Sequence, residues 1–378
     1  MKLMIIQKLL VNQNVNKGKE KFMKNKVKLI TERPSDLKVV NTARVSMAKK
    51  HTEFDVKADT GLLNYLARHR HWTPFGHIRD TIIFDLKTEE SFNRFNEFLL
   101  YSLSTDERTY MSITPVGTAK VAIKLSLFGW VNFIDRICND TILENDVKDY
   151  LIELIINVMY AKYPVSSSAY KLDSIYIPLS DTSKLIYKQN LEEVNKYIDI
   201  FNDDMFDITL YQSVPIFTSR QVFKHIVEFV YNEVSRRYVD EEPTMYKVDH
   251  YRSRPEKSIK QGSGGIHPES DVIKEMVKAY HEYTVNTYNT LIEEKVAPEQ
   301  ARGLLPQDMM TEYYVTGSVK AWRRVLKQRL DAHAQKEVQD LAQKIEGEIA
   351  HNIDFEMKRI LASDSKTKYE ELLELGIF

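Results

Sequence analysis

Ser219-Arg220-Gln221-Val222-Phe223-Lys224-His225-Ile226, followed four residues later by Tyr231-Asn232-Glu233-Val234-Ser235-Arg236-Arg237-Tyr238, is the stretch on which the reading of this chain turns. Arg220, Lys224, Arg236 and Arg237, with His225 among them, concentrate more positive charge than solubility requires. Guanidinium groups grip phosphates and planar pyrimidine edges through paired N–H donors. Taken alone, the segment reads equally well as a solvated basic helix face followed by a turn. The rest of the chain has to decide.

Composition narrows the choice. The 378 residues carry 53 Lys and Arg against 54 Asp and Glu, a net charge of −1, with 43% hydrophobic residues. That is ample for the core of one large domain or two to three smaller ones. Near-neutrality means that attraction to nucleic acid or to an acidic membrane is not built into the whole chain, so any anion site is local. No apolar run reaches the roughly 18 residues of a membrane span, and Met1–Leu10 lacks the long apolar region and cleavage site of a signal peptide. A cytoplasmic protein is expected, with residues 1–26, Asn- and Lys-rich toward their end, as a flexible N-terminal extension. The single cysteine, Cys138, excludes an intrachain disulfide and a Cys-based zinc cluster, and no metal site is expected. In its context Arg136-Ile137-Cys138-Asn139-Asp140 it reads as a buried small hydrophobe.

Periodicity sketches the elements. Apolar residues at Leu62, Leu63, Tyr65 and Leu66 predict a short amphipathic helix, and alternation through Ile82, Phe84 and Leu86 predicts a strand. Helices are predicted over 272–295 and within 150–160, and a long one over 319–349 that places Arg329 and His333 four apart on one face. Few strands and long helices give the class α+β. No Gly-x-Gly-x-x-Gly occurs, so a Rossmann-type nucleotide site is not supported.

The opening stretch resembles the signature of flavin-dependent thymidylate synthases. That family carries Arg-Gln-aromatic-aromatic-Arg-His-Arg, a short spacer, then Tyr-Asn-Glu-x-Ser-x-Arg-Tyr. Tyr231, Asn232, Glu233, Ser235, Arg237 and Tyr238 match, whereas Lys224 and Ile226 stand where the triplet has Arg on either side of His225. Three further blocks follow the family in order. They are Ala43-Arg44-Val45-Ser46 with His71-Trp72-Thr73-Pro74-Phe75-Gly76-His77, the loop Lys260–Gly264, and Ala301–Pro306 with Thr316-Gly317-Ser318 and Arg329–Gln335. Arg68-His69-Arg70 spells the triplet literally, but Ile78 follows where the family has Ser, and it reads as a helix C-terminus. Gly76 is another departure, at a position where the family often has Glu.

The resemblance implies a twisted sheet flanked by long helices, built from residues 27–88 and 212–378, with 89–211 as an inserted, mainly helical subdomain. It implies reductive methylation of dUMP to dTMP using FAD, methylene-tetrahydrofolate and NADPH, in a homotetramer with sites between subunits. Substrate contacts fall on Gln221, Lys224, Glu233, Val234, Ser235, Arg236, Arg237, Arg302 and Arg329. The hydroxyl of Ser235, Arg237 and the backbone of Val234 and Arg236 would form a phosphate nest. Arg329 would be catalytic, facing the pyrimidine N3 and O2 to stabilise charge on the ring. Cofactor contacts fall on Ser46, Thr73, Lys224, His225, Ile226, Asn232, Glu233, Ser318, Lys320, Arg324 and His333. Exchanging Arg for Lys224 keeps charge but loses the planar fork, and Ile226 loses a cation. Two alternatives therefore stay open. One is a variant enzyme making hydroxymethyl-dUMP or methyl-dCMP; the other is a non-catalytic relative binding nucleotides or, less in keeping with the charge, nucleic acid.

Overall fold

The computed structural model describes residues 22–30, 34–103, 111–255 and 262–352. The N-terminal half begins with strands β1 (Phe22–Met23) and β2 (Lys26–Leu29), then helices α1 (Asp36–Arg44), α2 (Val56–Arg68) and the single turn α3 (Thr73–Gly76). Strand β3 (Arg79–Asp85), helix α4 (Glu89–Leu103), strands β4 (Ser112–Pro115) and β5 (Lys120–Ser126), and helices α5 (Leu127–Asn139), α6 (Asn145–Lys162), α7 (Pro164–Ala169) and α8 (Ser180–Tyr197) follow. Side-chain caps start several of these helices. Ser35 accepts from the Lys38 amide, Asp55 from Ala58 and Ser126 from Gly129, each satisfying an amide that has no partner within its helix.

The C-terminal half comprises β6 (Asp207–Pro215), α9 (Ile216–Val222), β7 (Phe229–Glu233), β8 (Met245–Tyr246), α10 (Ser270–Glu293), α11 (Pro298–Ala301), β9 (Met310–Ser318), α12 (Val319–Arg329) and α13 (Lys336–Asn352). Its centre is a four-stranded antiparallel sheet in the order β2-β6-β9-β7, while β3-β5-β4 form a separate antiparallel sheet. Two large hydrophobic cores result, with a smaller cluster of Ile83, Val116, Ala122, Phe201 and Met205 beside them. One joins Val39–Leu86 to Phe95–Leu172 around Trp130, Phe95 and Phe133; the other joins the central sheet to Trp322, Leu326, Leu341 and Ile345 on α12 and α13.

Gly317 shows how tightly the second core is closed. It faces Phe229 across the β7–β9 pair, and a Cβ there would lie 2.2 Å from a Phe229 ring carbon. The ring cannot retreat, because it packs edge-on against Trp322 at 4.9 Å. Gly317→Ala is therefore expected to destabilise the fold by about 1–3 kcal/mol, the usual range for overpacking. A urea midpoint unchanged from the parent's would refute this.

Several sequence expectations are corrected. Residues 22–26 are not part of a loose extension: Phe22 and Met23 pair in parallel with β8, Lys24 bonds Asp249 at 2.6 Å, and Asn25 is buried. The limit at 211 falls inside β6, and the 89–211 segment contains β4 and β5, which pair with β3 and share its core. The long helix expected over 319–349 breaks after Arg329. Asp331 accepts the His333 amide at 2.8 Å, a local turn that competes with the helix ladder, and α13 restarts at Lys336. His333 therefore shares no helix face with Arg329. Cys138 is exposed, because Trp130, Phe133, Ile134 and Ile137 occupy the buried face of α5 and position 138 turns outward. Among the described residues no helix is long and apolar enough to cross a membrane.

Candidate active site

The N-terminal blocks are docked onto the central sheet by a buried polar column. His77 Nδ1 lies 2.7 Å from Thr316 Oγ1, which lies 2.7 Å from Thr209 Oγ1, and Lys38 Nζ reaches Thr209 at 3.5 Å. Burial first, then the nearby charges of Lys38 and Arg79, hold the His77 imidazole well below its ordinary pKa, so it stays neutral. Gly76 sits against β7, where an added Cβ would meet Val230 at 3.1 Å, so the close approach of this turn to the strand favours a residue without a side chain.

A cleft of about 450 Å³ opens beside this junction, lined by Arg220, Phe223, Glu233, Val234, Arg236, Arg302, Thr311 and Glu312, with Ala48 from the N-terminal block. Glu233, at the end of β7, is fixed by the Thr311 hydroxyl, which donates to its carboxylate at 2.6 Å. The residue is open to the cleft, yet its carboxyl end is crowded enough by protein that desolvation raises its pKa; Thr311 and the positive field of Arg302 oppose that rise. Arg236 folds back to donate to the Glu241 carbonyl. Ser235 and Arg237 lie on the adjoining turn. The Ser235 amide donates to the Ser46 carbonyl at 3.0 Å, and its hydroxyl accepts from Arg237 Nε at 3.2 Å. Ser46 thus meets the cleft wall through its backbone, while its hydroxyl donates to Ala43 O. The Val234 amide does not face a phosphate as expected, because it donates to Glu312 O at 2.8 Å and so continues the sheet.

A second cluster lies off the other side of α9. Arg329, the last residue of α12, donates from Nε to His225 Nε2 at 2.9 Å and from Nη2 to the Gln221 carbonyl at 3.2 Å. The Gln221 amide in turn donates to Gln335. Accepting from Arg329 requires a neutral His225. Burial, then Arg329 and Arg324, lower its pKa accordingly. Lys224 and Ile226 are exposed on the loop beyond α9. Ser318 caps α12 by accepting from the Ala321 amide and donates its own proton to Glu228, which also pairs with Arg324 at 3.3 Å. Lys320 stands 3.8 Å from Asp204. His333 is exposed and bonded to Asp331, and Thr73 begins α3.

The expected residues are thus gathered into two groups. Glu233, Val234, Arg236 and Arg302 line the cleft. Gln221, His225 and Arg329 join one another outside it, so within one chain the substrate set is divided. Sequence reasoning missed Thr311, Gln335 and Glu228, whose contacts span long separations and leave no local pattern.

The chain is similar to the following known proteins. Residues 161–352, half of the chain, match the family described as thymidylate synthase complementing protein. The flavin-dependent thymidylate synthase of Aquifex aeolicus is 28% identical over 319 residues, covering 82% of this chain and 93% of that protein. That of Kosmotoga olearia is 35% identical over 132 residues, covering 34% of this chain and 56% of that protein. The structure of a UMP/dUMP methylase PolB from Streptomyces cacaoi bound with 5-Br UMP aligns at TM-score 0.41 and 16% identity, covering 95% of this chain and 98% of that one. The chain belongs to the thymidylate synthase complementing protein family and is an enzyme of the methyltransferase type.

Proposed function

We propose that the chain catalyses FAD-dependent reductive methylation of dUMP to dTMP, methylene-tetrahydrofolate giving the carbon and NADPH the electrons. The observation that carries this reading is the convergence of separated blocks on one cleft: Ala48, the Arg220–Glu242 segment and Arg302–Glu312 all line it. Its volume suits a small-molecule ligand. Arg236 and Arg302 supply charge for a phosphate. Glu233, held by Thr311, is suited to accept a sugar hydroxyl. Gln221 and Arg329 would reach the pyrimidine of a second copy's cleft, which accounts for the division of the substrate set and favours a homotetramer. The setting is taken to be cytoplasmic.

The residues present fit a flavin. Asn232, on β7, turns a buried side-chain oxygen toward the region of His77. Ser318, Lys320 and Arg324 offer a hydroxyl and two cations around the start of α12. With Thr73, His225 and Asn232 these would hold FAD, and His333 would contribute from the turn that follows. Bound there, FAD would supply hydride chemistry, while the chain orients it and keeps His225 neutral.

Purified protein is expected to take up FAD and, with NADPH and methylene-tetrahydrofolate, to release tritium from C5-labelled dUMP. Product mass should correspond to dTMP. A hydroxymethyl product or turnover of dCMP would point to the variant enzyme, and a protein that takes up no flavin and releases no tritium would point to a non-catalytic binding relative.

A further inference from the structure

We propose that Glu228 is a built-in competitor for the anionic part of the cofactor, occupying the hydroxyl and guanidinium that would otherwise receive it. This rests on the flavin reading above. Ser318 donates to one oxygen of the Glu228 carboxylate and Arg324 Nη1 lies 3.3 Å from the other. Arg324 Nη2 also takes the Val227 carbonyl at 2.9 Å. An anion binding between Ser318 and Arg324 must therefore displace a carboxylate already seated there.

The seat is specific rather than a passing surface pair. Glu228 has φ of +66°, in the left-handed region that non-glycine residues seldom adopt. Arg79 Nη2 bonds its carbonyl at 3.1 Å, and Arg79 is itself held by Asp207 and by the Gly76 carbonyl. The Glu228 side chain is 17% exposed, against 40% for Arg324, so the carboxylate is the more enclosed member of the pair. The neighbouring Ile226, 63% exposed, offers no positive charge to attract an anion past it. The sequence thus places a carboxylate at one anion position, with an uncharged residue two positions before it. Together they set a threshold that the ligand must exceed before the loop 225–228 yields.

The test compares parent and Glu228→Gln, which keeps an acceptor for Ser318 but removes the charge. Apoprotein is titrated with FAD by flavin fluorescence, and with inorganic pyrophosphate by thermal shift. Glu228→Gln is expected to bind FAD roughly three- to tenfold more tightly, as when a charged competitor is replaced by a neutral one. The pyrophosphate shift should grow, although the apoprotein itself should melt slightly lower. Both gains should vanish when Arg324→Gln is added. Glu228→Asn, which tolerates the left-handed backbone, serves as a second variant if the first folds poorly. Equal or weaker FAD binding by folded variants overturns the competitor role and leaves the flavin reading standing. FAD ignored by both proteins, with an enlarged pyrophosphate shift in the variant, refutes the flavin reading but supports competition for an anion. Both ligands ignored by both proteins overturns the two together.

Discussion

Replacing Arg329 with alanine is expected to lower kcat by roughly 10²–10³-fold, the loss typical of removing one preorganised donor from a site where charge develops. The fold should be little affected. Arg329 ends α12, and its two acceptor atoms belong to half-buried Gln221 and His225 rather than to the core. The substitution carries a second readout that a structural role elsewhere would not move. His225 is held below its ordinary pKa by burial, then by Arg329 and Arg324. A histidine with a depressed folded-state value keeps its native contacts above the unfolded value, roughly 6.5, and loses them as pH falls through the folded one. Removing Arg329 takes away one of the two cations, so the imidazole should titrate at higher pH in the variant. NMR of ¹³C-labelled histidine measures it directly. Near-normal kcat, or an unmoved His225 titration, would remove Arg329 from the proposed role.

How far the sequence alone reaches is clear from where it succeeds and stops. The strand around Thr81–Lys87 and the helix near 272–295 are found at Arg79–Asp85 and Ser270–Glu293. The strand's Ile82 and Phe84 enter a core as their alternation predicts, whereas the helix exposes Val272, Met276 and Tyr283 and buries His281, Thr284 and Tyr288 instead, so its period is read correctly but its inward face is not. The cleft wall at Glu233–Arg236 is also legible, since it belongs to one contiguous motif. The break after Arg329 is not: apolar residues recur at helical spacing on both sides of it, and the competing signal is a single Asp331 turn. The seating of Glu228 on Ser318 depends on β7 and α12 meeting across 90 positions, which no local window contains. The division of the substrate residues follows from α9. Arg220 and Phe223, three apart, face the cleft, whereas Gln221 and His225 reach the opposite cluster. The motif encodes both faces, but only the fold shows that one chain separates them.

Asp207→Asn is expected to cost about 3–5 kcal/mol of stability, the range for breaking a buried ion pair by removing one partner. Asp207 begins β6 and binds Arg79 at 2.9 Å and Lys124 at 2.9 Å, cations from β3 and β5. Those side chains are 5% and 3% exposed, so water cannot screen them once the carboxylate is gone. Desolvation raises the Asp207 carboxyl, but Lys124 and Arg79 together outweigh it and bring the value below the ordinary one. Lys124 is also lowered, because burial and Arg79 disfavour its charge more than Asp207 supports it. Two cations thus share one carboxylate within the triad, and Asp204 adds only a weaker negative field at Lys124. Lys124→Met should leave a balanced Arg79–Asp207 pair and cost at most about 1 kcal/mol, or even stabilise, as apolar replacements of buried charges often do. The Asp207 contribution is present above the unfolded carboxylate value and is lost as pH falls through its depressed folded one. Because Arg79 also carries the Glu228 carbonyl, Asp207→Asn should loosen the 225–228 loop as well, seen as faster amide exchange there. Urea denaturation of the two variants at neutral pH decides the matter: if Lys124→Met proves as costly as Asp207→Asn, the charge balance argued for the triad is wrong.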